Sequence, residues 1–449
     1  MQKSAMIVAL SVVLCSVTLA RADADEQTFD LSPVAPPTPA LKYELLVDPI
    51  DQQSGNAATY YQQAFAAWTK DADGSVDKAL NAADRDPAAF ESFATAAYDK
   101  NKKVFDILDA AARQDQCDWQ TPLHEMGFRA PLPYLHDMQQ MARLVAVHTR
   151  QQIRHGKIDE AVASLRLGYG LGRNVASDPV LVSGLVGMGV DDLLNDVLAE
   201  LMSHPQSPNF YWALASLPRP MISFRHAMEH ERYHVFASYP VLAKARLGEL
   251  SAQEWRVVFK QIDQDMAKFH VTGRPPSTEQ AALSLLPQAR AYYAQTRHLT
   301  AGEVEKLDAL AVVGAYCLEQ YLTVADDQWK LTSLPYPILL PMAQQLQIPV
   351  QAGNPWMNFV AKSFGKAASV FARLDRGFAA LTAVEAIRSY AAANGGRLPP
   401  TLQNITDTPV PDNPYTGQAF DYTVENDTAT LSDPQPADYP LKYTIRIRK

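Results

Sequence analysis

The segment His230-Glu231-Arg232-Tyr233-His234 is the stretch of this 449-residue chain whose residue types and spacing match a known chemistry. An H-E-x-x-H pattern on a helix places two imidazoles one turn apart as zinc ligands, with the glutamate between them as general base. Glu254 follows about twenty residues downstream, at a distance suited to a third zinc ligand. The pattern predicts a secreted zinc metallopeptidase with His230, His234 and Glu254 as metal ligands and Glu231 as catalytic base.

The helix that carries this segment has other interpretations. Residues 221–239 lie between prolines and predict one helix, whose apolar residues share one face while His226, His230 and His234 form a ladder on the opposite face. Such a ladder is typical of a solvated polar surface, and it can also bind a metal ion without any catalytic role. Arg232 places a cation where zinc peptidases have an uncharged residue, which favours these alternatives.

The proposed third ligand has a structural role of its own. Ser251 and Glu254 fit a capping box, in which the glutamate reaches back to the serine amide at the start of a helix.

The sequence contains no G-x-S-x-G elbow, and neither Cys117 nor Cys317 lies in a nucleophile motif. The wider pattern therefore favours a protein that is not an enzyme and holds no cofactor, with zinc as the alternative.

The N-terminus predicts export. Lys3 is followed by a short apolar run over residues 5–19 and by Ala20-Arg21-Ala22, a small-residue cleavage signal, so residues 1–22 are predicted to be a signal peptide. Cleavage would remove two positive charges and no acids, which moves the formal net charge from -9 to -11. We expect a periplasmic or extracellular protein that does not span the membrane after cleavage and does not bind nucleic acid. In that compartment Cys117 and Cys317 can pair or stay free.

The rest of the chain predicts a mostly α fold. Residues 23–54 form a Pro-rich arm, for which we expect extended polyproline geometry instead of a packed element. Residues 55–372 show apolar spacings of three and four between prolines and glycines at helix-length intervals, which predicts stacked helical hairpins in a domain long enough for two subdomains. Residues 373–449 predict a small α+β module.

Local signals place several elements. Asn56 is suited to cap a helix that runs to Trp68, and Pro87 to begin a longer helix that ends near Arg113. Asn394-Gly395-Gly396 is a strong helix C-terminus. Alternating apolar residues then predict three strands, at residues 419–424, 428–431 and 441–448.

Two segments resemble known families. Gly156-Lys157-Ile158-Asp159-Glu160-Ala161 resembles the turn and second-helix start of a tetratricopeptide (TPR) repeat, which implies a TPR-like hairpin. The turn-rich run within residues 386–422 resembles the globular head of type II secretion pseudopilins. Together with Pro36-Pro37-Thr38-Pro39 and Leu217-Pro218-Arg219-Pro220, these segments resemble an uncharacterised family of exported, mostly helical bacterial proteins. This resemblance implies an architecture and no mechanism.

These observations favour an exported, non-catalytic helical scaffold. We expect it to bind a protein or cell-envelope component through a concave helical surface, with the C-terminal α+β module as a second contact or a cap. The alternative is the secreted zinc metallopeptidase built on residues 230–234.

Overall fold

A computed structural model describes most of the chain, namely residues 25–68, 74–245, 249–268, 277–346, 353–357, 364–434 and 440–448. The predicted signal peptide at residues 1–22 lies outside the described residues. The described residues form two compact units, whose limits differ from the predicted segments. We call residues 121–132 and 224–369 the central unit, and residues 25–120, 133–223 and 370–448 the terminal unit.

The terminal unit is mostly helical. Its helices are α1 (Ala57–Ala67), α2 (Ser75–Ala82), α3 (Pro87–Ala112), α5 (Tyr134–Arg154), α6 (Ile158–Val175), α7 (Leu181–Met202), α8 (Tyr211–Ala215) and the part of α17 (Phe364–Ala393) from residue 370 onward. The Asn56 side chain accepts a hydrogen bond from the Ala58 amide, and Pro87 lies in the first turn of α3. Both predicted helix starts are confirmed. Helices α5, α6 and α7 pack against one another in sequence, as the hairpin prediction requires.

The same unit carries the predicted C-terminal strands. Strands β4 (Asp421–Glu425), β5 (Thr428–Ser432) and β6 (Leu441–Ile447) form an antiparallel meander after α17, and Gly395 and Gly396 both adopt positive φ at the helix end. A separate pair, β2 (Gln53–Asn56) and β3 (Gln114–Gln116), flanks α1 to α3. The predicted fold class, mostly α with a small C-terminal α+β module, is confirmed.

The N-terminal arm differs from its prediction. Residues Asp25–Leu31 form a strand, β1, that pairs in parallel with β6, and the four-stranded order is β1-β6-β5-β4. Phe29 and Leu31 are fully buried, so this part of the arm is a packed element. Period-two alternation of Phe29 and Leu31 with exposed residues makes a half-buried strand favourable, and β6 supplies the partner that no local signal indicates.

The central unit is built around a long buried helix. Its elements are α4 (Leu123–Met126), α9 (Phe224–Ala227), α10 (His234–Ser238), α11 (Ala252–Lys268), α12 (Thr278–Leu283), α13 (Leu286–Thr296), α14 (Ala301–Lys306), α15 (Ala309–Leu331), α16 (Tyr336–Gln345) and the start of α17. Trp255, Phe259 and Tyr321 are among the large side chains that bury the middle of α15 against α11.

The single helix predicted over residues 221–239 is wrong. The chain is helical in α9 and again in α10, and residues 228–233 between them form turns in which the Tyr233 amide bonds to the His230 carbonyl. On a regular helix His230 would lie about 200° around the axis from Met228. Both residues are buried here, together with Val235. A straight helix that packs on one core can bury only one of its faces. The turns between α9 and α10 change the direction of the chain, so that both Met228 and His230 are buried.

Candidate functional site

His230 is buried, not part of a solvated face. Its side chain is 7 % exposed, and its Nε2 has no hydrogen-bond partner among the residues that the structure describes. Leaving a buried polar atom without a partner costs about 1–3 kcal/mol. Burial lowers the pKa of the His230 imidazole, and the Glu231 carboxylate opposes that shift. Burial therefore favours the neutral form of the His230 imidazole.

The other members of the motif, and His226 before it, lie beside acidic side chains. His234 Nδ1 lies 3.3 Å from Glu231 Oε2, and both side chains are partly exposed. Arg232 donates from Nε to Asp326 at 2.7 Å, so its charge is directed to α15. His226 Nδ1 lies 3.4 Å from the Glu229 carboxylate. The predicted ladder of His226, His230 and His234 on one solvated helix face is therefore not formed, because the chain turns at residues 228–233 and His230 is buried.

Glu254 performs the predicted capping role. Its carboxylate accepts hydrogen bonds from the Ser251 amide and hydroxyl, both at 2.8 Å, and the Glu254 amide donates back to the Ser251 hydroxyl at 3.3 Å. These bonds lower the pKa of the exposed Glu254 carboxyl. The described residues contain no group of three or more His, Cys, Asp or Glu side chains placed to hold one metal ion. The zinc set of His230, His234 and Glu254 stays a prediction.

The structure brings to His230 a residue that no sequence motif indicates. His124, on the short helix α4, is exposed and lies with its ring centre 6.1 Å from that of His230, at an interplanar angle of 84°. No spacing rule connects these two histidines, because the contact depends on how the chain folds back between them.

Backbone contacts hold α4 and the residues after it against α10. Gly127, at a φ of +56°, approaches so closely that a Cβ there would lie 2.6 Å from the His234 carbonyl oxygen. The Phe128 amide donates to the Ser238 hydroxyl at 3.1 Å. The Arg129 guanidinium donates to the Ser238 carbonyl and lies 3.6 Å from the buried Asp265 carboxylate. These contacts hold the backbone that follows α4 against α10, close to the position of His124.

The terminal unit contains a separate feature, a groove of about 590 Å³ that is lined by both apolar and polar residues. Its walls come from the end of α2 and from α5, α7 and α17. Leu80, Ala83, Ala142, Val190 and Leu193 contribute apolar surface. The polar lining consists of Asp84, Gln139, Gln140, Arg143, Arg150, Asp192, Asp196 and Arg373. The groove has no signal in the sequence, because its residues are scattered over four elements and match no motif.

The charges that line the groove are balanced and held in place. Arg150 bonds to Glu200 at 2.7 Å, Arg373 to Asp192 at 2.9 Å and Arg143 to Asp77 at 2.5 Å. Asp196 accepts a hydrogen bond from Gln27 of β1 at 3.0 Å. Three arginines and three aspartates therefore leave no large field of one sign over the lining. These arginine and aspartate side chains present hydrogen-bond donors and acceptors next to one another. Such an arrangement suits a ligand that also carries both donors and acceptors.

Two buried carboxyl groups lie outside the groove lining in the same unit. Asp191, on α7, is fully buried, and neither oxygen has a partner among the described residues. Burial, reinforced by Asp192, raises its pKa well above the usual range. Burial also raises the pKa of Asp375 to about 7, although the Met221 amide donates to this carboxyl. These groups affect stability through their raised pKa values.

Two further expectations concern the pairing of Cys117 with Cys317 and the presence of a membrane-spanning helix. Cys117 and Cys317 are both free. None of the described helices is long and apolar enough to cross a membrane.

Comparisons with protein-family models, with curated proteins and with solved structures find no match to this chain.

Proposed function

We propose that this chain is an exported, non-catalytic helical binding protein, and that the groove of the terminal unit holds a polypeptide segment of a partner. The single observation that carries the proposal is the groove itself. Its volume of about 590 Å³ falls within the range of roughly 300–1,000 Å³ that is usual for ligand sites. Export rests on the N-terminal residues 1–22 and is part of the proposal.

The lining indicates the class of ligand. A polypeptide backbone carries one donor and one acceptor per residue, and the groove offers both through its glutamines, arginines and aspartates. The ion pairs of Arg150 and Arg373 fix these groups before binding, which lowers the entropy lost when a ligand is ordered. Leu80 and Leu193 add apolar contact for side chains of the bound segment.

The proposal is tested by selecting ligands from a displayed random-peptide library on the full chain. Gln140→Trp fills the groove, and Ala163→Trp places the same bulk on an exposed position of α6 that is not part of the lining. Enriched peptides should bind the wild type and Ala163→Trp equally. Gln140→Trp should lower the affinity of these peptides for the chain by at least about tenfold, which is the effect of losing a well-packed contact region. Equal binding by both variants, or no enrichment, would contradict the proposal.

The zinc peptidase remains the alternative, favoured by the unpartnered His230 Nε2 and by the proximity of Glu231 to His234. It requires proteolysis that depends on zinc and disappears in Glu231→Gln while the metal is retained. It also requires Glu254 to leave its cap and act as a ligand, so Glu254→Ala should abolish zinc binding. The interrupted helix and the intact cap make this interpretation the less favoured of the two.

A further inference from the structure

Strand β4 forms one edge of the four-stranded sheet. It pairs with β5, and no other described strand pairs with its second side. Glu425 and Thr428 face each other across a two-residue turn in which both residues have positive φ, and residues that flank such a turn exchange both backbone hydrogen bonds. Because bonded and non-bonded pairs alternate along antiparallel strands, the N–H and C=O groups of Tyr422 and Val424 point away from β5. These groups are free to pair with an added strand.

The core face of the sheet also extends to this edge. Val424 lies on the same face as Ala429 and Leu431 of β5, which are fully buried. Val424 itself is 39 % exposed, because no described strand lies beside it on the open side. An apolar residue of an added strand would lie opposite Val424 and cover it.

The other face of the sheet carries a repeated pattern of charge. Two rows of facing residues cross the four strands, and each contains an acidic, a basic, a hydroxyl and an acidic residue in order from β1 to β4. The rows are Glu26, Lys442, Ser432 and Asp421, and Asp30, Arg446, Thr428 and Glu425. Between them, a third row consists of threonines in all four strands. The basic groups of β6 lie 3.9 Å from the carboxylates of β1 in both charged rows.

This pattern indicates the charge of a strand that would fit beside β4. Both charged rows end in an acid at the open edge, namely Asp421 and Glu425, and opposite charges on facing residues stabilise a strand pair. A basic residue opposite each acid would repeat the pairing that β6 makes with β1. A second copy of β4 does not fit, because antiparallel pairing would place Asp421 of one copy opposite Glu425 of the other, and facing like charges are destabilising.

The geometry points to the open edge of β4 as a site for strand addition, which takes an extended polypeptide segment of a partner with basic residues at alternate positions. The segment lies antiparallel to β4, with its basic residues opposite Asp421 and Glu425 and an apolar residue opposite Val424. Backbone hydrogen bonds to Tyr422 and Val424 supply affinity, and the alternate side chains supply specificity. This site does not rest on the groove, which is lined by other residues of the terminal unit.

Fluorescence polarisation of a short labelled peptide on the full chain tests the site. The central segment of the peptide consists of lysine, valine, threonine, valine and lysine. The wild type should bind it saturably, and glutamate in place of both lysines should remove that binding. N-methylation of the two valines removes the donors that face β4, so it should lower the affinity by at least about tenfold. N-methylation of the threonine, whose N–H faces solvent in this register, should leave the affinity unchanged.

Val424→Pro closes the edge of the protein itself. The N–H that proline lacks is the one that points away from β5, and proline is tolerated in an edge strand at such a position. The variant should keep its circular dichroism spectrum and lose the peptide. Gln140→Trp, which fills the groove, should bind the peptide as the wild type does. Loss of the peptide in Gln140→Trp together with normal binding by Val424→Pro would assign the peptide to the groove and overturn the edge site.

A charge exchange tests the partner's charge without altering the strand backbone. The double variant Asp421→Lys with Glu425→Lys should bind the lysine peptide at least about tenfold more weakly, because two attractive pairs become repulsive, and should bind the glutamate peptide instead. Asp407→Lys with Asp412→Lys makes the same change of net charge at exposed positions outside β4 and should behave as the wild type does. The site is overturned if the wild type shows no saturable binding, if both N-methylated peptides bind equally, or if the two charge variants behave alike.

Discussion

The guanidinium of Arg388 donates its Nε–H to the backbone carbonyl of Ser32 at 2.7 Å. The same fully buried side chain donates to the carbonyls of Ser207 and Pro208 at 2.7 and 2.8 Å, and lies 3.3 Å from the buried Glu385 carboxylate. One arginine on α17 therefore holds the segment after β1 and the segment before α8 in place. The planar guanidinium can do so because its donors are fixed in a fork.

Arg388→Ala should destabilise the terminal unit by about 3–5 kcal/mol, because it leaves Glu385 buried without its Arg388 partner and removes the Arg388 donors from the Ser32 and Ser207 carbonyls. Arg388→Lys should recover part of this loss, since lysine restores the charge and lacks the fork. Urea unfolding followed by circular dichroism measures the free energy of unfolding of both variants. Arg397→Ala, an exposed arginine just beyond the same helix, should change stability by no more than about 0.5 kcal/mol. Equal effects at positions 388 and 397 would contradict this role of the buried arginine.

The arm that Arg388 holds shows what local sequence cannot predict. Strands β4, β5 and β6 and the cap at Gly395 were predictable, because alternation and turn residues are local signals. Strand β1 was not, because its partner is β6 and Asp25 pairs with Leu441 across nearly the whole chain. The prolines that follow β1 gave no information on whether the arm packs.

Phe29→Ala should destabilise the terminal unit by about 3–5 kcal/mol, the usual cost of removing a buried phenylalanine side chain. Phe29 is fully buried and lies 5.3 Å from Tyr443, ring centre to ring centre, on the neighbouring strand. Thr28→Ala alters the exposed face of the same strand and should cost no more than about 0.5 kcal/mol. Chemical unfolding of the two variants makes the comparison. If both are as stable as the wild type, β1 does not contribute to the core.

The candidate site was predictable only in part, because some of its contacts, like the pairing of β1 with β6, join residues that are far apart in the sequence. Composition and spacing identified His230, and the capping box of Glu254 followed from two residues three apart. The burial of His230 could not be predicted, because helical periodicity places it opposite Met228 and the chain instead turns between α9 and α10. His124 was missed because its proximity to His230 depends on tertiary packing, which no local pattern encodes.

Gly187→Ala should destabilise the crossing of α6 and α7. A Cβ at Gly187 would lie 2.6 Å from the Gly172 carbonyl oxygen, a backbone atom that cannot move without displacing α6. Overpacking of this kind costs about 1–3 kcal/mol. Gly302→Ala is the matched control, because nothing lies within 4 Å of its added Cβ and its helix should gain about 0.4–1 kcal/mol. Thermal unfolding should therefore move in opposite directions for the two substitutions, and a shift of the same sign would contradict the close crossing.

The buried carboxyl groups predict that the terminal unit loses stability as the pH rises. An aspartate in the unfolded chain loses its proton near pH 3.9, whereas burial raises the pKa of Asp375 to about 7 and the pKa of Asp191 well above its usual range. Between the two values the folded state binds more protons than the unfolded state, so the unfolding free energy falls with increasing pH. For Asp375 this window runs from about pH 4 to about pH 7.

Asp191→Asn should remove the Asp191 part of this penalty, because the amide is neutral at every pH and nearly the same size. We expect the variant to be more stable than the wild type at pH 7, because the wild type loses about 1.4 kcal/mol of unfolding free energy for each pH unit above the pKa of the unfolded aspartate at which the folded Asp191 keeps its proton. Near pH 3.5 the difference should disappear, since most of Asp191 is then protonated in both states. Asp106→Asn, at an exposed position of α3, should change stability by no more than about 0.5 kcal/mol at either pH. Urea unfolding at the two pH values measures these differences, and an Asp191→Asn effect that is equal at both would show that the pKa of Asp191 is not raised by folding.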